Sequence, residues 1–154
     1  MEEHLLNKLD ILKEKYYNNS VQICTEFIFL GVYMPLVEKV SHIFEPNPLA
    51  CGQAVLSMLS GVSVYDVFEL VKTEKETTLK DMKEALRYFD IGFKENRVEA
   101  KEKSELPRVA LLSLETPKCW HWSLFFDGVF YDPEYGVLND FPPSNRRYFW
   151  EITG

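Results

Sequence analysis

The sequence predicts an α+β fold, with N-terminal helices packed on an antiparallel sheet supplied by the last third of the chain. Three observations lead there. Helix-spaced apolar residues with recognisable caps run from Cys51 to Phe89. Aromatic residues make up 14% of the 154 positions and concentrate in the C-terminal third. There, Asp127-Gly128 separates two apolar runs, His121–Phe126 and Val129–Asp132, which is a strong two-residue hairpin signal. Helices first and strands later is the order of an α+β domain, unlike the strict alternation of a doubly wound sheet.

Taken in order, Leu5, Leu6, Leu9, Ile11, Leu12 and Tyr16 recur at helical spacing and predict a helix over Leu5–Tyr17, ended by Asn18-Asn19-Ser20. Val21–Phe44 reads equally as buried strand around Phe27–Leu30 or as helix over Tyr33–Val40. Glu45-Pro46-Asn47-Pro48 is a rigid loop, because each proline restricts itself and its predecessor. It delivers the chain to a short buried helix, Cys51–Leu59, with Ala54, Val55, Met58 and Leu59 inward and Ser60-Gly61 as its stop. Ser63 is placed to cap a helix over Val64–Lys72. Thr78 and Asp81 form a capping-box pattern for a third over Leu79–Phe89, with Leu79, Met82, Leu86 and Phe89 on one face. Lys94–Glu105 is charged and reads as an edge strand or loop. Val109–Leu114 is a continuous apolar run and reads as a central strand, and Arg147–Ile152 as a closing strand. No repeat, low-complexity tract or linker divides the chain. Residues 1–154 are expected to form one domain, with 1–43 an extension of no assigned role and 44–154 the core.

The bulk properties exclude several classes of function. A formal net charge of −7 opposes a nucleic-acid surface, since phosphate binding needs a basic face. The acidic N-terminus lacks the basic segment of a signal peptide. Val21–Val37, which carries Glu26, is too short and mixed for a membrane span. Three cysteines at irregular spacing, Cys24, Cys51 and Cys119, do not form a disulfide framework. A reducing, cytoplasmic setting is the expectation, with no nucleic-acid and no membrane partner.

Chemistry concentrates at three positions. Cys51 opens a helix, where the dipole and exposed first-turn N–H groups favour a thiolate. His121 stands on a later strand between Trp120 and Trp122, so its ring faces away from both indoles. Asp132 ends the next strand. With a two-residue turn at 127–128, Phe126 pairs with Val129 and Leu124 with Tyr131, which sets Asp132 opposite Ser123 and diagonal to His121 on one face. A thiol, an imidazole that takes its proton and a carboxylate that orients the imidazole are the parts of a cysteine hydrolase. Each has a plainer alternative: a buried inert Cys, a core His, and an Asp that only ends its strand at Pro133. His42, near the loop before Cys51, is the rival base. Cys51, Cys119 and His121 could be imagined as zinc ligands, but Cys-x-His is not a standard spacing and no Cys-x-x-Cys is present. No metal or other cofactor is expected.

Cys51-Gly52-x-Ala54 before an apolar helix, His121-Trp122 at a strand start and Asp132-Pro133-x-x-Gly136 after a hairpin together resemble the C39-like branch of the papain-like cysteine peptidases. The resemblance spans roughly residues 44–141. It implies a papain-like fold and a thiol protease or related acyl hydrolase or transferase acting on a peptide or protein substrate. Cys51 would be the nucleophile, His121 the general base and acid, and Asp132 the orienting residue. That family usually carries a Gln six residues before the Cys as an oxyanion donor. Here the position is Glu45, so Asn47 and the Cys51 backbone N–H are the other candidates. The alternative reading is a degenerate, non-catalytic module that binds a peptide or protein partner, and Glu45 is the residue that favours it.

Overall fold

The computed structural model describes residues 37–154, which belong to the second of the chain's two units, Leu36–Gly154. The expected helix over Leu5–Tyr17 and most of the ambiguous Val21–Phe44 stretch lie outside the described residues. Within them the architecture is α+β. Helices α1 (Cys51–Ser60), α2 (Val64–Val71) and α3 (Leu79–Tyr88) precede strands β1 (Val98–Glu99), β2 (Val109–Glu115), β3 (Trp120–Phe126), β4 (Val129–Asp132), β5 (Gly136–Leu138) and β6 (Arg147–Glu151). The strands form one sheet in the order β1-β6-β2-β3-β4-β5, with every pairing antiparallel. No single helix here is long and apolar enough to cross a membrane.

The helices begin and end where local chemistry says they should. Gly61 closes α1 in the left-handed conformation, its N–H bonded to Ser57 O. The Ser63 hydroxyl accepts from Tyr65 N at the start of α2. Thr78 and Asp81 complete a reciprocal capping box on α3. Two expectations need amending. All of Cys51–Leu59 is buried, so α1 is covered all round and has no solvent face. On α3, Met82, Ala85 and Leu86 are the buried residues, while Leu79 lies at the exposed rim.

Strand alternation divides the sheet's side chains into two sets. Ala110, Leu112, Leu114, Phe125, Phe130 and Phe149 form one core cluster with Ala100. Leu111, Leu124 and Trp150, also buried, belong to the other set with Trp122. The hairpin register is the one expected, Phe126↔Val129 and Leu124↔Tyr131. Asp127 and Gly128 both take positive φ, 45° and 83°, the twist a two-residue antiparallel turn requires. Arg108 clamps that turn through Nε to Asp127 Oδ1 at 2.9 Å. The closing strand β6 lies inside the sheet, between β1 and β2.

The start of α1 is wrapped by the segment 73–77. The Gln53 amide donates to Thr73 O at 2.9 Å and Lys75 O at 2.7 Å. Asn47 Nδ2 donates to Glu74 O at 2.9 Å, and Trp122 Nε1 to Thr77 O at 3.1 Å. A Cβ on Gly52 would fall 1.9 Å from Thr77 Oγ1 and 3.0 Å from Met82 Sδ. The glycine therefore makes room for this segment of the chain itself. Gly52→Ala should cost ~1–3 kcal/mol through overpacking, read as a lower urea midpoint at unchanged slope. Adding Thr77→Ala should recover part of the loss.

Candidate active site

Four segments converge on the sulfur of Cys51. The first is α1, whose opening residue is Cys51 itself. Among the described residues no side chain caps this helix, and its first turn holds no acidic residue. The orphan first-turn N–H groups and the positive end of the helix dipole therefore face the thiol without competition.

The second segment is the start of β3. Its main chain donates from Trp122 N to Cys51 Sγ at 3.4 Å, a long-range bond with no signal in the local pattern. The alternation that exposes Trp120 and half-exposes Trp122 buries His121 between them, at 4% exposure.

The third is the end of β4. Asp132 is fully buried. Both of its carboxylate oxygens lie 3.0 Å from His121 Nε2, which leaves Nδ1 as the ring nitrogen for Cys51. Asp132 Oδ1 also accepts from Glu134 N and Tyr135 N, each at 2.9 Å. Ending its strand and holding the imidazole are thus two tasks of one carboxylate.

The fourth segment, residues 42–45, lies along the turn after Asp132. His42 Nε2–H donates to Asp132 O at 2.7 Å, and Glu45 N to Pro133 O at 3.0 Å. His42 is accordingly a brace for the Asp132 backbone. The same bonds carry Glu45 inward. A carboxylate oxygen of Glu45, Cys51 Sγ and a ring nitrogen of His121 all lie within 4.8 Å of one another.

The structure thus gathers Cys51, His121, Asp132 and Glu45. Asn47 is directed elsewhere. Its Oδ1 accepts from Leu49 N at 2.9 Å, in a local turn that shapes the approach to α1, while its amide nitrogen holds Glu74 O. The expectation that Asn47 supplies a side-chain donor beside the sulfur is therefore not met, because both ends of its amide are engaged by Leu49 N and Glu74 O, and the side chain that reaches Cys51 is the Glu45 carboxylate. Cys119 is exposed, and among the described residues the trio whose ligand atoms cluster is Glu45, Cys51 and His121 rather than one containing Cys119.

The electrostatics follow from burial opposed by pairing. Burial lowers the basicity of His121, but the hydrogen bonds and charges of Asp132 and Cys51 prevail and push its pKa up to about 10. Burial raises the Asp132 pKa, but the His121 bond and charge outweigh it and hold the carboxyl below its ordinary value. Glu45 is raised, first by burial and then by the neighbouring carboxylates Glu134 and Asp132, against the opposing pull of His121.

No protein-family model matches the chain, and no curated protein matches it. The functional reading therefore rests on these residues alone.

The buried pair makes stability depend on pH. An unfolded chain releases the imidazole proton near 6.5, whereas the folded chain keeps it to about 10. Between those values the folded state binds more protons, so stability should fall as pH rises. Urea midpoints measured across that interval should decline in the wild type. Asp132→Asn should flatten the decline.

Proposed function

We propose that the chain is a thiol-dependent acyl hydrolase of papain-like fold, cleaving a peptide, isopeptide or related amide bond. One observation carries the reading. A helix-opening cysteine, a buried histidine and a fully buried aspartate stand in series, with Nε2 of the imidazole held by the carboxylate and Nδ1 left for the sulfur. Aspartate fixes the tautomer and supports the imidazolium, as such a triad requires. The main-chain N–H of Trp122 on Cys51 Sγ adds a donor suited to a thiolate.

The chemistry divides into two displacements. The Cys51 thiolate adds to the substrate carbonyl carbon, and the carbonyl oxygen takes the negative charge. The orphan N–H of Cys51, at the start of α1, is the donor for that oxygen. Collapse of the intermediate breaks the carbon–nitrogen bond, and the leaving amine takes the proton from His121. A water molecule then gives a proton to His121 and attacks the thioester, which releases the acid and restores the thiolate. Cys51 and Cys119, unpaired among the described residues, fit a reducing, cytoplasmic setting.

Glu45 is the specific observation that favours a second reading, a peptidase-like module that binds a partner without cleaving it. An ionised carboxylate beside the sulfur opposes negative charge on the intermediate, and replacing it by an amide converts repulsion into donation. Intact-mass spectrometry after mixing with p-nitrophenyl acetate decides between the two. Acetyl transfer should appear on Cys51, vanish in Cys51→Ala and slow by ~10²–10⁴-fold in Asp132→Asn. Glu45→Gln should accelerate acylation at least ~10-fold, about 1.4 kcal/mol. If neither wild type nor Glu45→Gln acylates, the binding module replaces the hydrolase.

A further inference from the structure

We propose that Glu45, Cys51 and His121 form a three-ligand site for Zn²⁺ or a similar thiophilic divalent cation, whose occupancy blocks the thiol. The site goes beyond the hydrolase reading and does not depend on it.

The donor set is that of zinc: one thiolate, one imidazole and one carboxylate. Their ligating atoms already lie within 4.8 Å of one another. Ligands around a tetrahedral zinc, at ~2.0–2.3 Å from the ion, stand about 3.5 Å apart, so the three need to close by only about an ångström. Glu45 is the longest and most exposed of them, so it can supply that movement by rotating its side chain.

Two further observations point to the same ligand. Glu45 Oε2 is shielded from solvent and finds no hydrogen-bond partner among the described residues, so a cation would satisfy a group that is otherwise costly to bury. Asp132 meanwhile engages Nε2 of His121 with both oxygens. That is the carboxylate–histidine support that metal-bound imidazoles carry on their second nitrogen, and it leaves Nδ1 as the nitrogen turned toward the sulfur. Three protein ligands leave a fourth position for water. Sulfur and Nδ1 can ligate only when neither carries a proton, so metal binding releases protons to solvent. A metal-bound thiolate has its charge drawn toward the cation, and the ion stands between the sulfur and His121, so zinc binding opposes thiol chemistry.

The test uses the intact chain, Zn²⁺ and Co²⁺ as the probes, and peptide-level mass spectrometry of iodoacetamide labelling. Zn²⁺ should abolish alkylation of Cys51 while leaving Cys119 labelled as before. Co²⁺ should give a thiolate-to-metal charge-transfer band that Zn²⁺ displaces, that persists in Cys119→Ser and that is lost in Cys51→Ala. Glu45→Gln should weaken Zn²⁺ protection of Cys51, and Asp132→Asn should weaken it ~10–100-fold. The proposal is overturned if Zn²⁺ leaves Cys51 alkylation unchanged in the wild type, if it slows Cys119 equally, or if Glu45→Gln is protected as well as the wild type. Neither readout requires turnover. A chain that never acylates yet shows protection keeps the metal site, and one that acylates without protection loses only the metal site.

Discussion

A carboxylate with no solvent contact must find every partner within the protein, and the arrangement around Asp132 is built on that requirement. An unpaired buried charge costs several kcal/mol, about 3–5 when one partner of a buried pair is removed. Asp132 meets the demand with the His121 imidazole and two main-chain N–H groups of the following turn. Those bonds fix the ring plane of His121 and the path of residues 133–135. That path in turn presents Pro133 O to Glu45 N, while Asp132 O receives His42. The loop feeding α1 is thereby registered against the end of β4, by the same group that holds the His121 ring.

This dependence separates what could be read in the sequence from what could not. Caps and turns were legible because they are local. Ser63, the Thr78–Asp81 box, Gly61 and Asp127-Gly128 act on residues within a few positions of themselves. The diagonal approach of Asp132 to His121 was legible too, since counting back from a two-residue turn fixes which side chains share a face. Glu45 and Asn47 were harder. Both lie in the loop before Cys51, and spacing alone does not say which one turns inward. The decision is made by Asn47 bonding Glu74 and by Glu45 N bonding Pro133, partners tens of residues away. The short strand β5 left little pattern, with only Gly136–Leu138 to carry it.

Gly52 illustrates a different limit. A glycine beside the cysteine leaves room for a close approach by either the chain itself or a substrate, and the space is filled by Thr77 and Met82. The residues beside Cys51 serve to hold the 73–77 segment against α1, through Gln53, Trp122 and this close approach. Anchoring of that kind keeps the helix start in place against the strand, and a side chain held on regular elements keeps its geometry better than one carried on a loop.

The turn at Asp127-Gly128 has an effect out of proportion to its exposed position. His121 lies six residues back along β3 from Asp127, about 20 Å of extended chain, yet the turn's length determines which way its ring points. One residue added there, if taken up by sliding β3 past its neighbours, would exchange the faces of His121 and Trp122 and bring an indole to the sulfur. Exposed loops usually accept changes in length freely. In this hairpin a change of one residue in the outermost turn, where Arg108 bonds Asp127, would be felt at the centre.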